Sequence, residues 1–397
     1  MHFTSSARQW DTALLERFPV QKSVDIQLDT QIQQALDERS VAYCLTSGQV
    51  IALQTAEIQL VQQLLKAGQL AQRLCRSKVT QFCVTRKSAS AELYPTELGK
   101  EVVQLLSSFV GEIGQQYPCH ALEPRIELLL ECAAKRNLLG LNPAYFHSGE
   151  EHLLLVDLLN GFVQDVRKRG TAAGFEAKIL KFQTQIDKRY KAMRNYFRQL
   201  CALYPKGHVI RLALSYQPHG FCGYEFSEEM HKIVTLHGKV LLDHLTQSLG
   251  TAVVGFAWKR DFATARGFQY HLVAILNGPQ IQELHGIEQS LGEYWCHSIT
   301  GGEGLWFNCY GFGAADHHYR GMGYLSGRPR TMEEQLSLVP VFMTLTDGIA
   351  AFAPPGKSKP YGMATLPAGL QRQAALKMTQ YPLTENDLFL LFQTTAL

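Results

Sequence analysis

The stretch WKRDFATARGFQYHLVAIL, residues 258–276, decides how the chain is read. Two strand-like runs flank Ala265-Arg266-Gly267, so the spacing predicts an antiparallel hairpin with a tight turn there. Successive strand side chains point to opposite faces. Phe268, Tyr270, Leu272, Ala274 and Leu276 then share one face, and Gln269, His271, Val273 and Ile275 the other. Asp261 closes the first strand. Pairing the strands brings its carboxylate near His271 and Gln269. On an open sheet face such a polar trio is a candidate seat for a divalent cation.

Working outward, the strand period holds on both sides. His208–Tyr216 reads as a buried strand, apolar except for Arg211. Ser227–Leu249 reads as a helix, with Ser227 as cap, Glu228 and Glu229 suiting the dipole of the first turn, and Gly250 as the stop. Thr251–Trp258 is a strand, Phe268–Leu276 its partner, and Pro279–Trp295 a second helix; Leu305–Tyr310 offers a fourth strand. The order β-α-β-β-α predicts an α+β fold: an antiparallel sheet with both helices on one face and the other face open.

The preceding half is helix-rich. Residues 1–90 read as a mixed α/β module, with a short helix at Thr30–Arg39, strands around Ser47-Gly48 within Ala42–Ala52, a helix over Thr55–Ser77 and a strand at Gln81–Thr85. Residues 91–205 read as a helical region. Helices are predicted at Thr96–Tyr117, capped by Thr96, at Pro124–Lys135, with proline in the first turn, and at Glu150–Val166. Phe175–Tyr204 is a basic helix carrying Lys178, Lys181, Lys188, Arg189, Lys191, Arg194 and Arg198 against Glu176 and Asp187. Tyr190, Tyr196 and Phe197 are interleaved with these cations. A basic helix with aromatics can track a phosphate backbone and stack bases. The plainer reading is a solvated face opposite a core stripe of Ile179, Phe182, Ile186, Tyr190, Met193 and Phe197.

The hairpin and the segments after it resemble the replication initiators of filamentous phages and related prophage and plasmid elements, within the His-hydrophobe-His single-strand endonucleases. That family has a Trp-x-x-Glu strand end, a turn, and a strand carrying His-x-His; here Trp258, Asp261 and His271 match, while Gln269 stands in the first histidine's place. Asn277-Gly278, Tyr294-Trp295, Thr300-Gly301-Gly302 and Asn308-Cys309 extend the likeness, and FMTLTDG at Phe342–Gly348 is similar to the segment bearing the nucleophilic tyrosine and its lysine. Lys359-Pro360-Tyr361-Gly362 resembles a later Arg-x-Phe-Gly element. The likeness spans roughly residues 209–366, in a unit read as 206–397. It implies a palm of RRM- or ferredoxin-like form, Mg²⁺ or Mn²⁺ held by Asp261, Gln269 and His271, and a DNA phosphate attacked from a helix.

Three positions depart from that chemistry together. Gln269 is a weak neutral ligand where an imidazole is expected. Phe342 occupies the nucleophile's place and has no hydroxyl. Leu345 occupies the lysine's place and cannot stabilise a pentavalent transition state. The resemblance with these losses implies a protein that binds single-stranded or hairpin DNA and has lost or impaired nicking. Tyr361, Tyr319 and Tyr324 are the alternative nucleophiles if a metal-dependent nickase survives. A scaffold binding a protein partner in phage control or defence is the third expectation.

The remaining signals bound these readings. Residues 311–330 form a glycine-rich segment in which Arg320, Arg328 and Arg330, with His317 and His318, suit a basic loop over DNA. Net charge is only +3, so nucleic-acid affinity has to come from local patches. Nine cysteines, odd in number and without a CxxC pair, are the usage of a reducing cytoplasm. MHFTSSARQW at the start lacks a basic segment followed by an apolar run, and no apolar stretch reaches the roughly 18 residues of a membrane span. Cys296-His297, Cys309 and His317-His318 have no spacing typical of a zinc site. Gly356-Lys357-Ser358 lacks the upstream glycine of a Walker loop and reads as a basic connector.

Overall fold

The computed structural model describes residues 32–33, 35–37, 39–46, 49–87, 90–109, 113–142, 149–218, 226–278, 286–309, 323–324, 336, 338–356 and 358–380. Its centre is an antiparallel sheet of six strands: β6 (Gly207–Tyr216), β7 (Val253–Ala263), β8 (Gly267–Asn277), β9 (Gly304–Asn308), β10 (Gly323–Tyr324) and β12 (Tyr361–Met363). The order is β10-β6-β8-β7-β12, and β9 also lies against β6. β9 and β10 share that outer edge, β9 opposite Leu212–Tyr216 and β10 opposite His208 and Val209. The β7–β8 hairpin closes with Ala263 opposite Gly267, whose φ of +69° suits a residue without a Cβ.

One face of the sheet presents Ile210, Leu212, Leu214, Tyr270, Leu272 and Leu276 to helix α6 (Glu228–Leu249) and to α7 (Ile287–Glu293) with the π-helical turn Tyr294–Ile299 behind it. Ser227 caps α6 as its sequence predicts, its hydroxyl accepting from the Met230 amide at 3.0 Å. Trp295 is fully buried and donates its indole N–H to the Ser215 carbonyl at 3.2 Å. Gly238 lets α6 lie directly on the sheet, since a Cβ there would stand 2.5 Å from the Tyr270 ring.

The α+β class and the antiparallel sheet agree with the sequence pattern; the open second face does not. Val209, Ala257, Val273 and Ile275 on that face are covered by α5 (Phe175–Leu203), through Met193, Phe197 and Leu200, and by α8 (Leu338–Thr344), through Val341, Phe342 and Met343. The sheet is therefore the middle of three layers. Helix α9 (Ala368–Gln380), on a stretch without a predicted element, runs against α5.

The N-terminal part has its own core. Strands β1 (Val41–Thr46) and β2 (Gln49–Gln54) form a hairpin, followed by α1 (Glu57–Arg76) and a second hairpin of β3 (Phe82–Lys87) and β4 (Ser90–Pro95). Helices α2 (Glu97–Ser108), α3 (Pro124–Lys135) and α4 (Gly149–Gly170) complete it around Leu64, Leu74, Phe82, Leu106, Leu129 and Phe162. Thr96 caps α2 by accepting from the Gly99 amide at 3.0 Å, as expected, but the helix stops at Ser108 rather than Tyr117. Strand contacts join this part to the C-terminal half. β5 (His120–Leu122) pairs with β11 (Ala350–Phe352), and β1 lies beside β9, with Tyr43 and Phe307 rings 5.1 Å apart.

Placing a β-branched side chain at Gly238 forces α6 off Tyr270. Gly238→Val is expected to destabilise the fold by about 1–3 kcal/mol, read as a lower midpoint in thermal or urea unfolding with unchanged secondary-structure content.

Candidate functional site

The hairpin register puts Asp261 opposite Gln269 and Lys259 opposite His271, so the predicted trio does share one face. That face is closed. Asp261, Gln269 and His271 are each 1% exposed, and the polar atoms of Asp261 and Gln269 are committed to protein partners. The Asp261 carboxylate meets Arg39 Nε at 2.7 Å and Arg266 at 3.1 Å, with the His120 ring 3.3 Å from its other oxygen. Gln269 donates to the Val41 carbonyl at 2.6 Å and accepts from Arg266 at 3.1 Å. A divalent cation at Asp261 would have to displace two guanidinium groups.

Arg39 and Arg266 are delivered by distant segments. Arg39 ends the helical residues that precede β1 and also donates to the Thr346 and Ala350 carbonyls, both at 2.9 Å. Arg266 sits in the β7–β8 turn and donates to Glu57 at 2.7 Å, and the Tyr117 hydroxyl donates to the same carboxylate at 2.8 Å. Burial alone would raise the Asp261 carboxyl; Arg39 and Arg266, helped by the His120 contact, outweigh it and hold the group well below the usual carboxylate range. The network gave no signal in the sequence. Arg39 carries no periodicity, and Glu57 reads only as an acid suited to a helix start.

A second buried pair lies beside it. Lys259 donates to Asp347 at 2.7 Å and to Thr346 at 2.9 Å, and Arg189 approaches Asp347 from α5 at 3.5 Å. Phe342, which the sequence resemblance puts in a nucleophile's place, sets its ring edge-on to His271 with centroids 4.7 Å apart. Leu345 is buried among the same hydrocarbons. Burial, then the charges of Arg211, Arg266 and Lys259, push the His271 imidazole well below its ordinary range, so it stays neutral. The imidazole thus faces a packed interior where an open groove was expected.

The other predicted residues divide. Tyr361 lies on β12 opposite Lys259, with the Arg189 guanidinium 5.0 Å above its ring. Tyr319, Arg320, Arg328 and Arg330 lie outside the described residues, as do His317 and His318; the backbone of Tyr324 pairs with His208. Cys296 donates its thiol to the Gly304 carbonyl at 3.1 Å, and among the described residues no three His, Cys, Asp or Glu side chains converge as metal ligands.

Helix α5 has a buried stripe and a set of outward cations. Ile186, Met193, Tyr196 and Phe197 point inward, and the Tyr196 hydroxyl accepts the Phe256 amide at 3.0 Å, so these aromatics are core and not a stacking platform. Lys181, Lys188 and Lys191 are exposed, and Arg194 is half-buried. Lys178 is also exposed and pairs with Glu127 at 2.6 Å. Arg189 is turned toward Asp347 and Tyr361. The outward cations sit along one helix with little acid between them.

No family model matches the chain, and no curated protein or solved structure matches it significantly.

Removing one member of a buried ionic network strands its partners. Arg266→Met is expected to cost about 3–5 kcal/mol in chemical denaturation. Adding Glu57→Gln should cost less than the two single changes summed, because it removes a carboxylate left unpaired. Acid sensitivity arises from two buried histidines. His271 lies well below its ordinary value, and burial with Arg260 nearby brings His231 down to about 4. The unfolded chain takes up these protons near pH 6.5 and the folded chain does not, so their contribution is intact above that pH and is lost as pH falls toward 4. Unfolding midpoints should drop across that window, and His271→Gln should flatten the drop. Asp261 adds a separate loss below its ordinary value of 3.8.

Proposed function

We propose that this protein binds single-stranded or hairpin DNA through the outer face of α5, on a replication-initiator-like scaffold whose nicking face has become a structural core. The observation that carries the second half is the state of Asp261, sealed and bound by two arginines. The edge-on packing of Phe342 against His271 supports the resemblance as well as the loss. In the family a tyrosine hydroxyl faces the metal; here the facing ring carries no nucleophile. Mg²⁺ or Mn²⁺ chemistry at that face would require breaking Arg39–Asp261–Arg266. Tyr361, engaged by Arg189, would need to leave its stack to act in its place.

DNA binding rests on Lys181, Lys188 and Lys191, exposed on the helix that closes the sheet. By the helical period of about 3.6 residues these three lysines fall along one side of the helix. Each neutralised phosphate releases counterion, so affinity falls as salt rises.

Gel-shift titration of the full chain against single-stranded and hairpin DNA at several salt concentrations tests the reading. Binding should be salt-dependent, and changing Lys181, Lys188 and Lys191 together to Gln should weaken it at least about tenfold and lower the salt slope by about 2. Absent or salt-independent binding would sink it. Incubation with Mn²⁺ and DNA should leave no covalent protein–DNA adduct; an adduct lost in Tyr361→Phe would establish an active nickase instead.

A further inference from the structure

Strand β7 carries three charged residues in succession, and only the first and third face the ionic core. Arg260, between them, points to the opposite side of the sheet under α6. It is 1% exposed. It donates to the Thr235 hydroxyl at 2.6 Å, to the Ser358 hydroxyl at 2.6 Å and to the Lys359 carbonyl at 3.2 Å. Among the described residues its Nε–H has no acceptor and no carboxylate pairs with it. A buried guanidinium without a counter-charge is costly, and every other buried cation on the hairpin has one. Burial presses the group down to about 10, with only the neutral hydroxyls of Tyr270 and Tyr216 opposing.

Arg260 forms part of the wall of a cavity of about 510 Å³. Lys239 of α6 and Lys359 of the segment before β12 add two more cations to the lining, and among the described residues Asp243 is the one acid. Trp258 and Tyr270, stacked at 13° with centroids 5.3 Å apart, supply an aromatic wall. The volume falls within the range of small-molecule sites, about 300–1,000 Å³, and exceeds what an inorganic anion needs. An aromatic surface beside clustered cations and hydroxyls is the chemistry of a phosphorylated base.

We infer that this cavity holds a nucleotide, its phosphate on Arg260, Lys239 and Lys359 with the Ser358 and Thr235 hydroxyls, and its base against Trp258. Asp243, one turn beyond Lys239 on α6, is placed at the sugar or base end, where a carboxylate accepts hydrogen bonds. The Gly356-Lys357-Ser358 connector gains a role here, since Ser358 and Lys359 close the site over the β7 edge. The site lies on the face of the sheet opposite α5 and does not depend on the DNA reading. The phosphate comes from a free nucleotide or from the end of a DNA strand.

Calorimetric titration of the full chain tests the inference with dTMP, thymidine, inorganic phosphate and a short oligonucleotide with or without a 5′-phosphate. dTMP should bind at least tenfold more tightly than thymidine and than inorganic phosphate. Lys239→Gln with Lys359→Gln, both exposed positions, should weaken dTMP at least tenfold while thermal unfolding is unchanged. Arg260→Gln should abolish binding, and Trp258→Leu should reduce discrimination between dTMP and phosphate. Tighter binding of the 5′-phosphorylated oligonucleotide than of dTMP identifies the strand end as the ligand; equal or weaker binding identifies the free nucleotide. No dTMP binding, equal affinity for dTMP and thymidine, equal affinity for dTMP and phosphate, or indifference to the double lysine change overturns it. Failure here with Lys181-, Lys188- and Lys191-dependent DNA binding retained would leave α5 untouched.

Discussion

The pairing of Asp261 with Arg39 and Arg266 is the constraint on which the rest of the molecule turns. Taking a carboxylate and two guanidinium groups out of water costs several kcal/mol per ion, and their mutual attraction offsets that only when the geometry is good. Here each charge comes from a different segment: Asp261 from β7, Arg266 from the turn after it, Arg39 from the entry to β1 and Glu57 from the start of α1. A shift of any segment leaves an unpaired ion in a dry interior. The network adds little to net stability and penalises alternative packings heavily, so it fixes the N-terminal part on the sheet in one orientation. The trio that a cation would need is consumed by that task.

Strand β7 shows how one sequence serves two environments. Lys259 and Asp261 look toward α5 and α8 and are neutralised within the protein, by Asp347 and by the arginines. Arg260 looks the other way, toward α6, and has only hydroxyl and carbonyl partners. The bulge between Val253 and Gly255 belongs to the same strand; a Cβ at Gly255 would meet Tyr196 Oη and Leu200 at 2.5 Å, so the bare backbone is what admits α5. Helix, strand and cavity are thereby stacked through the thickness of one hairpin.

The elements of this fold were legible where period and caps are strong. The β7–β8 hairpin, α6 with its Ser227 cap and α3 with Pro124 at its start lie where spacing puts them, because local chemistry decides them. The convergence of Asp261 and Gln269 followed from strand alternation alone. What covers a sheet face is a tertiary matter, and the near-continuous apolar run of β8 was the available sign that both faces are buried. The partners Arg39 and Glu57 stand more than 200 residues from the hairpin and lack any pattern, since the requirement they meet exists only once the chain is folded. The same holds for Ser358 and Lys359, which sequence places in a connector and the fold brings to Arg260.

The bond from Arg39 to the Ala350 carbonyl spans 311 residues, and the β5–β11 ladder pairs Leu122 with Ala350. During synthesis the first third of the chain emerges long before either partner exists. It carries an unmatched strand edge at β5 and the charges of Arg39 and Glu57, which remain hydrated until Asp261 and Arg266 of the hairpin arrive. Contacts of such long reach pay their loop-closure entropy early and are rewarded late. Docking of the two parts therefore has to wait for the hairpin, and a chain stalled before β11 leaves the β5 edge unpaired.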